Sequence, residues 1–240
     1  MDGRRLRVIG PGRAGGSLAG ALGRAGWEVL APRGRGDDLA GAASGTDLLV
    51  VATPDTSIAA VAAAVAPDER CVVAHLAGSL GPDVLAPHPR RAALHPLATL
   101  PDPERGAARL AAGVWWAVAG DPVAGRVVAD LGGTAVAVDD EHRAGYHAAA
   151  CIASNHLVAL LGQVERVAGP VGVPLAAYLD LARDTLDNVA ALGPAAALTG
   201  PAARGDEATL DRHRAALDPA ERPAYDALAA AARRLGAGTR

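Results

Sequence analysis

Three polar side chains on one helical stretch of this sequence could act on a substrate. His147, Cys151 and Asn155 are spaced i, i+4 and i+8, which places them along one face of an α-helix, with Ser154 beside them. An imidazole titrates near neutral pH, so His147 can protonate a substrate oxygen or nitrogen while Asn155 and Ser154 orient the substrate. The alternative is that these groups only form hydrogen bonds between helices.

Two further histidines, His75 and His95, each end a short apolar run. If these runs are parallel strands, both side chains lie at the carboxyl edge of the sheet, where ligands bind in open α/β folds. We therefore expect His95 to act in catalysis and His75 to lie against a cofactor, unless each only bonds the backbone. All 23 basic residues are arginine, so no lysine can serve as a general base or Schiff-base nucleophile.

A glycine-rich turn predicts a dinucleotide site. It follows a strand-like run, precedes a helix of small residues, and has the sequence Gly10-Pro11-Gly12-Arg13-Ala14-Gly15. In this context the first glycine permits the turn, the second lets the backbone approach a pyrophosphate, and the third lets the helix pack on the strand. The helix N-terminus then offers N–H groups to the phosphates. We expect all six residues to contact the cofactor.

The end of the second predicted strand indicates which cofactor binds. Enzymes that use NAD usually carry an acidic residue there, but this strand runs into Arg33 and Arg35. A guanidinium pairs with phosphate in a fixed fork, so the two arginines suit the 2′-phosphate of NADP. We predict NADP(H), with NAD the weaker ligand, and we expect Thr53 and Pro54, after the third strand, to wall the cofactor site.

Short apolar runs alternate with alanine-rich helical stretches as far as residue 138. This alternation predicts a Rossmann-like, doubly wound, mostly parallel sheet in residues 1–138 and an all-α domain in residues 139–240. Glu141–Ala168 is predicted to form one long helix. The runs expected as strands are Leu6–Ile9, Trp27–Leu30, Asp47–Ala52, Cys71–Leu76, Ala92–His95, Val114–Val118 and Thr134–Val138.

A loop rich in glycine and proline joins two predicted helices of the second domain. Within it, Arg204 can clamp a substrate carboxylate by bidentate pairing, and Thr199 stands nearby in the chain. We expect Thr199 and Arg204 to bind substrate. Asp206 is expected to cap the helix that follows.

The composition excludes several functional classes. The formal net charge is −3, which provides no basic footprint for nucleic acid. The seven histidines and two cysteines show no metal-ligand or disulfide spacing, so we expect no metal and a reducing, cytoplasmic setting. The uncharged stretch Ala144–Val164 contains polar residues, and it therefore predicts a buried helix rather than a membrane span.

Six short segments follow one another along nearly the whole chain. They are Gly10–Gly15, Ala52–Asp55, His75–Ser79, Leu94–Leu97, Tyr146–Ala150 with Ala153–Asn155, and Ala197–Asp206. Together they resemble the Rossmann-like proteins that carry a DUF2520 helical carboxy-terminal domain. These proteins are similar in architecture to pyrroline-5-carboxylate reductase, prephenate dehydrogenase, ketopantoate reductase and F420-dependent NADP reductases. The resemblance implies a nicotinamide-binding domain followed by a helical domain that often forms a homodimer, but it names no substrate. One departure is Ala77, where the family pattern suggests a serine.

These observations predict an NADP-dependent oxidoreductase that transfers hydride to or from a C=O or C=N group of a small, carboxylate-bearing substrate. The alternative is a regulatory or scaffold protein that binds NADP without turnover, since the sequence shows no strong acid–base pair. We expect a homodimer through the helical domain, because its long apolar helix is unsuited to a monomer surface. The active site is expected between the domains, bordered by His95 and by the face that carries His147 and Asn155, with the Thr199–Asp206 loop near its mouth.

Overall fold

The computed structural model describes residues 4–237, which group into two compact units. The first unit ends at Ser154 and the second begins at Asn155. Every strand of the described chain lies in the first unit, and the second unit is built from helices. Within residues 4–237, no helix is long and apolar enough to cross a membrane.

Seven strands form one sheet, and each overlaps a run that the sequence analysis predicts as a strand. The strands are β1 Arg5–Ile9, β2 Glu28–Val29, β3 Leu48–Val51, β4 Val72–His75, β5 Arg91–Pro96, β6 Trp115–Gly120 and β7 Thr134–Ala137. Their order across the sheet is β2-β1-β3-β4-β5-β6-β7. All neighbouring pairs are parallel except β5 and β6. The predicted mostly parallel, Rossmann-like sheet is therefore confirmed.

The central strands supply apolar side chains to both faces of the sheet. All four residues of β3 and all four of β4 are buried. Leu48 and Val50 belong to one core cluster, whereas Leu49 and Val51 belong to another. Because successive side chains of a strand point to opposite faces, a strand covered on both faces must be apolar throughout.

The strand order places a topological switch point at β1 and β3. From β1 the chain forms β2 on one side and then returns to form β3 on the other side. In open α/β sheets, ligands bind in the crevice at the carboxyl ends of such a strand pair. The segments that follow the two strands begin at Gly10 and Ala52, so the predicted cofactor residues border this crevice.

Four helices of the first unit lie between strands, and a fifth follows the last strand. They are α1 Arg13–Arg24, α2 Ile58–Ala63, α3 Pro103–Ala111, α4 Val123–Asp130 and α5 Asp140–Cys151. Short 3₁₀ turns at Asp55–Ser57 and Pro82–Leu85 precede α2 and follow β4. Because α3 joins β5 to β6 as helices usually join parallel strands, the sequence carries no sign that β6 is antiparallel.

The single long helix predicted for Glu141–Ala168 is interrupted. After α5 ends, a π-helical turn occupies Ile152–His156, and the next helix begins at Leu157. A π-turn bonds residue i to i+5, so α-helical spacing does not hold through it. The helices of the second unit are α6 Leu157–Ala168, α7 Leu175–Leu192, α8 Pro194–Ala197, α9 Pro201–Arg204, α10 Glu207–Ala216 and α11 Arg222–Ala237.

The predicted domain boundary at residue 139 falls just before α5. The strands of the described chain end before this boundary, whereas α5 belongs to the first compact unit. The division of function between residues 1–138 and 139–240 stays a prediction.

Candidate functional site

The turn after β1 requires glycine at two positions. Gly10 adopts a φ of +87°, and a Cβ there would lie 2.8 Å from the carbonyl oxygen of Ala52. A Cβ on Gly15 would overlap the carbonyl oxygen of Gly10 and lie 2.8 Å from the Val8 side chain. The backbones of β1, β3 and α1 therefore approach more closely than any larger residue permits.

Gly12 faces open space instead. No atom lies within 4 Å of a Cβ built on it, and Pro11, Gly12 and Arg13 are exposed. Gly12 directly precedes α1, so the first N–H groups of that helix, including those of Arg13 and Ala14, have no acceptor within the helix. Room for an anion, main-chain donors and the positive end of the helix dipole together fit a pyrophosphate.

Thr53 forms the β3 side of this crevice. Its Cγ2 lies 3.3 Å from the position that a Cβ on Gly10 would take. Its hydroxyl is buried and has no hydrogen-bond partner among the described residues. Such a group costs about 1–3 kcal/mol, which a ligand that forms the missing bond would offset. Pro54 is exposed beside it, at the start of the 3₁₀ turn.

Arg33 is held against the end of β1 by its backbone. Its N–H donates to the carbonyl of Val8 at 2.8 Å, and its carbonyl accepts from the N–H of Gly10 at 2.8 Å. Its side chain is half-buried, and its Nε has no hydrogen-bond partner in the described part of the chain. Arg35, two residues later, is exposed. One arginine is thus fixed beside the glycine turn with a second in the adjoining loop, an arrangement that suits a 2′-phosphate.

His75 is buried and uses both ring nitrogens within the loop that follows β4. Nδ1 accepts from the N–H of Ala77 at 3.1 Å, and Nε2 lies 3.0 Å from the carbonyl oxygen of Gly81. Nε2 therefore carries the proton of a neutral ring. Burial is the main cause that lowers the pKa of His75, which favours the same neutral form. Because both ring nitrogens bond to the backbone, neither is free to contact a cofactor as the sequence predicts. The His75 side chain holds the loop after β4 in place.

Two imidazoles meet beside Gly78. The ring centroids of His95 and His147 lie 5.6 Å apart, with an interplanar angle of 81°. A Cβ on Gly78 would overlap Nδ1 of His147 and lie 2.9 Å from Nε2 of His95. Nδ1 of His147 is buried and has no hydrogen-bond partner among residues 4–237. His95 and His147 thus lie side by side, and only glycine at position 78 leaves room for both rings; their catalytic roles stay predictions.

Two side chains of α5 occupy the other nitrogen of each ring. The hydroxyl of Tyr146 lies 2.6 Å from Nδ1 of His95. The sulfur of Cys151 lies 3.6 Å from Nε2 of His147. Each imidazole is therefore oriented by α5 and turns its remaining nitrogen toward Gly78. His147 and Cys151, spaced i and i+4, therefore lie on one face of α5, as the sequence predicts.

The environment keeps the ring of His95 uncharged at neutral pH. Burial, followed by the positive charges of His147 and Arg143, lowers the pKa of His95 to about 4. Burial also raises the pKa of the Tyr146 hydroxyl. At neutral pH the hydrogen bond between Tyr146 and His95 therefore joins a neutral phenol to a neutral imidazole. His95 is therefore no cationic acid at this pH, and its predicted catalytic role must use the neutral ring.

Ser154 and Asn155 lie in the π-helical turn. The hydroxyl of Ser154 donates to the carbonyl of Ala150 at 2.8 Å, a bond that serine often makes within helices. Because the register shifts here, the α-helical spacing that aligned Asn155 with His147 does not apply. The substrate roles of Ser154 and Asn155 stay predictions.

Thr199 and Arg204 lie in the second unit and differ in their surroundings. Thr199 lines a mainly apolar cavity of about 650 Å³, together with Tyr178 and Tyr225. Arg204 is exposed. The carboxylate of Asp206 accepts from the N–H of Thr209 at 3.0 Å, which confirms the predicted helix cap. Substrate binding by Thr199 and Arg204 stays a prediction.

Tyr146 and Gly78 have no predicted role, although both stand within the segments that carry the family resemblance. Tyr146 precedes His147 by one residue, about 100° around the helix, so it falls outside the i, i+4, i+8 row of His147, Cys151 and Asn155. Gly78 is required only because the ends of β4 and β5 approach α5, which local sequence does not show. A glycine three residues after a strand-terminal histidine is the one signal that could have indicated it.

Asp139, Glu141 and His142 bring possible ligand atoms within 4.8 Å of one another. All three side chains are exposed, and exposed acidic groups commonly hold no ion. The expectation that the protein binds no metal stays a prediction.

Comparison with known proteins identifies one family model and a shared fold. Residues 117–232 match the DUF2520 family, a domain of unknown function. The match begins within β6, ahead of the predicted domain boundary. Among curated proteins, no sequence matches this chain significantly.

Three solved structures resemble the whole chain. A Bacteroides fragilis protein classed as an NADP oxidoreductase is 21% identical, with a TM-score of 0.79 over 97% of this chain and 98% of that one. A Thermotoga maritima protein is 20% identical, with a TM-score of 0.73 over 98% and 99%. Pyrroline carboxylate reductase from Plasmodium falciparum, with NADP bound, is 10% identical, with a TM-score of 0.62 over 98% and 99%. At these identities the likeness shows the fold. The chain therefore has a Rossmann-like fold, and its residues 117–232 match the DUF2520 family model.

Proposed function

We propose that this protein is an NADP-dependent oxidoreductase that transfers hydride to or from a C=O or C=N carbon of a small, carboxylate-bearing substrate. The observation that carries the proposal is the convergence of His95 and His147 on Gly78. This cluster adjoins the ends of β4 and β5, in the same sheet whose β1 leads into the glycine turn. Groups that can hold a proton thus share one sheet edge with a turn suited to a dinucleotide.

The cofactor would be held by the residues that border the β1–β3 crevice. The main chain of Gly10–Gly15 receives the pyrophosphate, Thr53 and Pro54 form one wall, and Arg33 and Arg35 meet the 2′-phosphate. When bound, the nicotinamide supplies or accepts the hydride. The solved structures named as NADP oxidoreductase and NADP-bound reductase support this choice of cofactor through their shared fold.

His147 is our choice for the proton donor. Its Nδ1 is the buried nitrogen without a partner, and it points to the Gly78 main chain. A substrate oxygen or nitrogen bound there would receive its proton from His147. Tyr146 and neutral His95 form a second pair that can hold the substrate carbonyl or imine by hydrogen bonds.

Kinetics of the His147→Ala variant test this role. NADPH absorbance is followed with 2-oxo and 2-imino carboxylates as substrates. The variant should lower turnover by about 10²–10⁴-fold and leave the NADPH dissociation constant unchanged. His142→Ala, an exposed histidine of the same helix, is the matched control and should do neither. NADPH binding by the unmutated protein without oxidation by any such compound would favour the alternative, a regulatory or scaffold protein that binds NADP.

We also propose that the protein forms a homodimer through its second unit. No residue of the 18-residue helix α7 is buried, and Leu181, Leu186 and Leu192 are 55–61% exposed. In α6, Val158 is 70% exposed. Apolar surface of this extent usually marks an interface. Light scattering at micromolar concentration should give twice the chain mass, and a monomer would contradict the proposal.

A further inference from the structure

Arg143 is a buried cation with few partners in the described structure. Its side chain is 1% exposed, and Nε, Nη1 and Nη2 are all buried without a hydrogen-bond partner. The carboxylate of Asp140 lies 3.5 Å from Nε, too far for a good hydrogen bond, and its own side chain is 56% exposed. A guanidinium has five N–H donors, and buried charges are normally paired and hydrogen-bonded. Arg143 therefore has donor capacity that the protein itself does not use.

Helix geometry places this guanidinium beside the cluster at Gly78. Arg143, Tyr146 and His147 are spaced i, i+3 and i+4 in α5, so they share one face. After burial, the positive charge of Arg143 is among the causes that lower the pKa of both His75 and His95, which stand at the ends of β4 and β5. An anion bound at Arg143 would lie about one helical turn from the proton donor His147.

We propose that Arg143 binds the substrate carboxylate, and that the substrate class is a 2-oxo or 2-imino carboxylate. This inference rests on the proposed function. A bidentate pair with a carboxylate would satisfy the guanidinium that the protein leaves unsatisfied. Arg143 and His147 are spaced i and i+4, with Cβ atoms about 5–6 Å apart, so a short substrate can present its carboxylate to Arg143 and its carbonyl or imine to His147. Arg204, the carboxylate clamp predicted from the sequence, is exposed and does not share a helix with His147.

A carboxylate suits this position better than a phosphate. The Asp140 carboxylate already supplies one negative charge near Nε. The single negative charge of a substrate carboxylate would complete the neutralisation of the guanidinium, whereas Asp140 would repel a phosphate dianion more strongly. Inorganic phosphate is therefore included in the test as the competing anion.

The test measures binding without turnover. NADP⁺ affinity is determined first by calorimetry, and a lack of NADP⁺ binding would refute the proposed function separately. Pyruvate, phenylpyruvate, uncharged pyruvamide and inorganic phosphate are then titrated with and without NADP⁺. The variants are Arg143→Met and, as the matched control, Arg109→Met at an exposed arginine of α3. We expect the two 2-oxo carboxylates to bind, at least tenfold more weakly to R143M and equally to R109M. All three proteins should bind NADP⁺ alike, and pyruvamide and phosphate should bind none of them.

A second measurement separates binding from structure. If Arg143 serves a ligand, the ligand-free protein bears the cost of a buried charge, and R143M should melt about 2–4 °C higher than the unmutated protein. A lower melting temperature would assign Arg143 a structural role and overturn the proposal. Equal affinity of R143M for the 2-oxo carboxylates, no binding of either compound, or preferential binding of phosphate would overturn it as well.

Discussion

His95 at the end of β5 and His147 in α5 place their ring centroids 5.6 Å apart, each with a nitrogen directed at Gly78. The two residues are far apart in sequence, and α5 brings the second ring to the strand end that carries the first. Tyr146 and Cys151 fix the outer nitrogens of the rings. The inner nitrogens face Gly78 at the carboxyl edge of the sheet, and Nδ1 of His147 has no hydrogen-bond partner among the described residues.

Gly78→Ala tests whether this space matters. A Cβ there would overlap Nδ1 of His147, so either the loop or the imidazole must move. We expect turnover to fall by about 10²-fold or more, since an active-site shift of this size has that effect, with a stability loss of about 1–3 kcal/mol. Gly145→Ala, in α5 with no atom within 4 Å of the new Cβ, is the matched control and should retain activity. Full activity of G78A would show that the inner nitrogens are not used.

Tyr146→Phe removes the hydroxyl that contacts His95. Nδ1 of His95 then loses its partner in a part-buried place, at a cost of about 1–3 kcal/mol in the free energy of unfolding. Tyr225→Phe removes a similar contact, 2.7 Å from Nδ1 of His213, but in an exposed place. Urea unfolding should therefore show a smaller loss for Y225F. Equal losses would mean that the part-buried pair contributes no more to the free energy of unfolding than the exposed pair.

Stability should fall on mild acidification because of His95. Its folded pKa is about 4, below the unfolded value of about 6.5, so the unfolded chain binds the proton first. The stabilising contribution is complete above pH 6.5 and is lost as pH falls toward about 4, at no more than about 1.4 kcal/mol per pH unit. Burial lowers the pKa of His75 in the same direction.

The measurement is urea unfolding at pH 7 and pH 5 for the unmutated protein and His95→Gln. The variant should lose about 1–2 kcal/mol less between the two pH values, because it no longer carries this titrating ring. Identical slopes for the two proteins would contradict the low pKa of His95.

Replacing Arg33 and Arg35 together by alanine should remove most of the preference for NADPH over NADH. Their charge-assisted bonds to the 2′-phosphate should together contribute about 1–3 kcal/mol, so the ratio of dissociation constants should change by about 5- to 150-fold. Fluorescence titration with both cofactors measures this ratio. Arg70→Ala, whose side chain is 91% exposed, is the control. Equal affinity of the unmutated protein for NADPH and NADH would refute the assignment of NADP.

The sequence predicts the sheet because its signals are local. The run Leu48–Val51 is apolar throughout since both faces of β3 are covered, and the glycine turn Gly10–Gly15 is recognisable from its own spacing. Features that depend on long-range packing cannot be derived in this way. The antiparallel direction of β6 and the π-turn at Ile152–His156 leave no local pattern.

The site follows the same rule. His147 and His95 are evident as residue types, and the sequence predicts both. The burial of Arg143 and the contact of Tyr146 with His95 exist only because α5 packs against the strand ends. Asn155 lies in the π-helical turn, so its position relative to His147 does not follow from α-helical spacing.

A crystal structure with NADP⁺ bound would show whether the glycine turn and the two histidines belong to one site. We expect the pyrophosphate on the main chain of Gly10–Gly15 and the nicotinamide ring at the cluster beside Gly78. Its C4 atom should then lie within about 4–4.5 Å of the ring of His95 or His147, or of a substrate atom held between them. A nicotinamide that contacts neither imidazole, or a cofactor bound away from the glycine turn, would contradict the account.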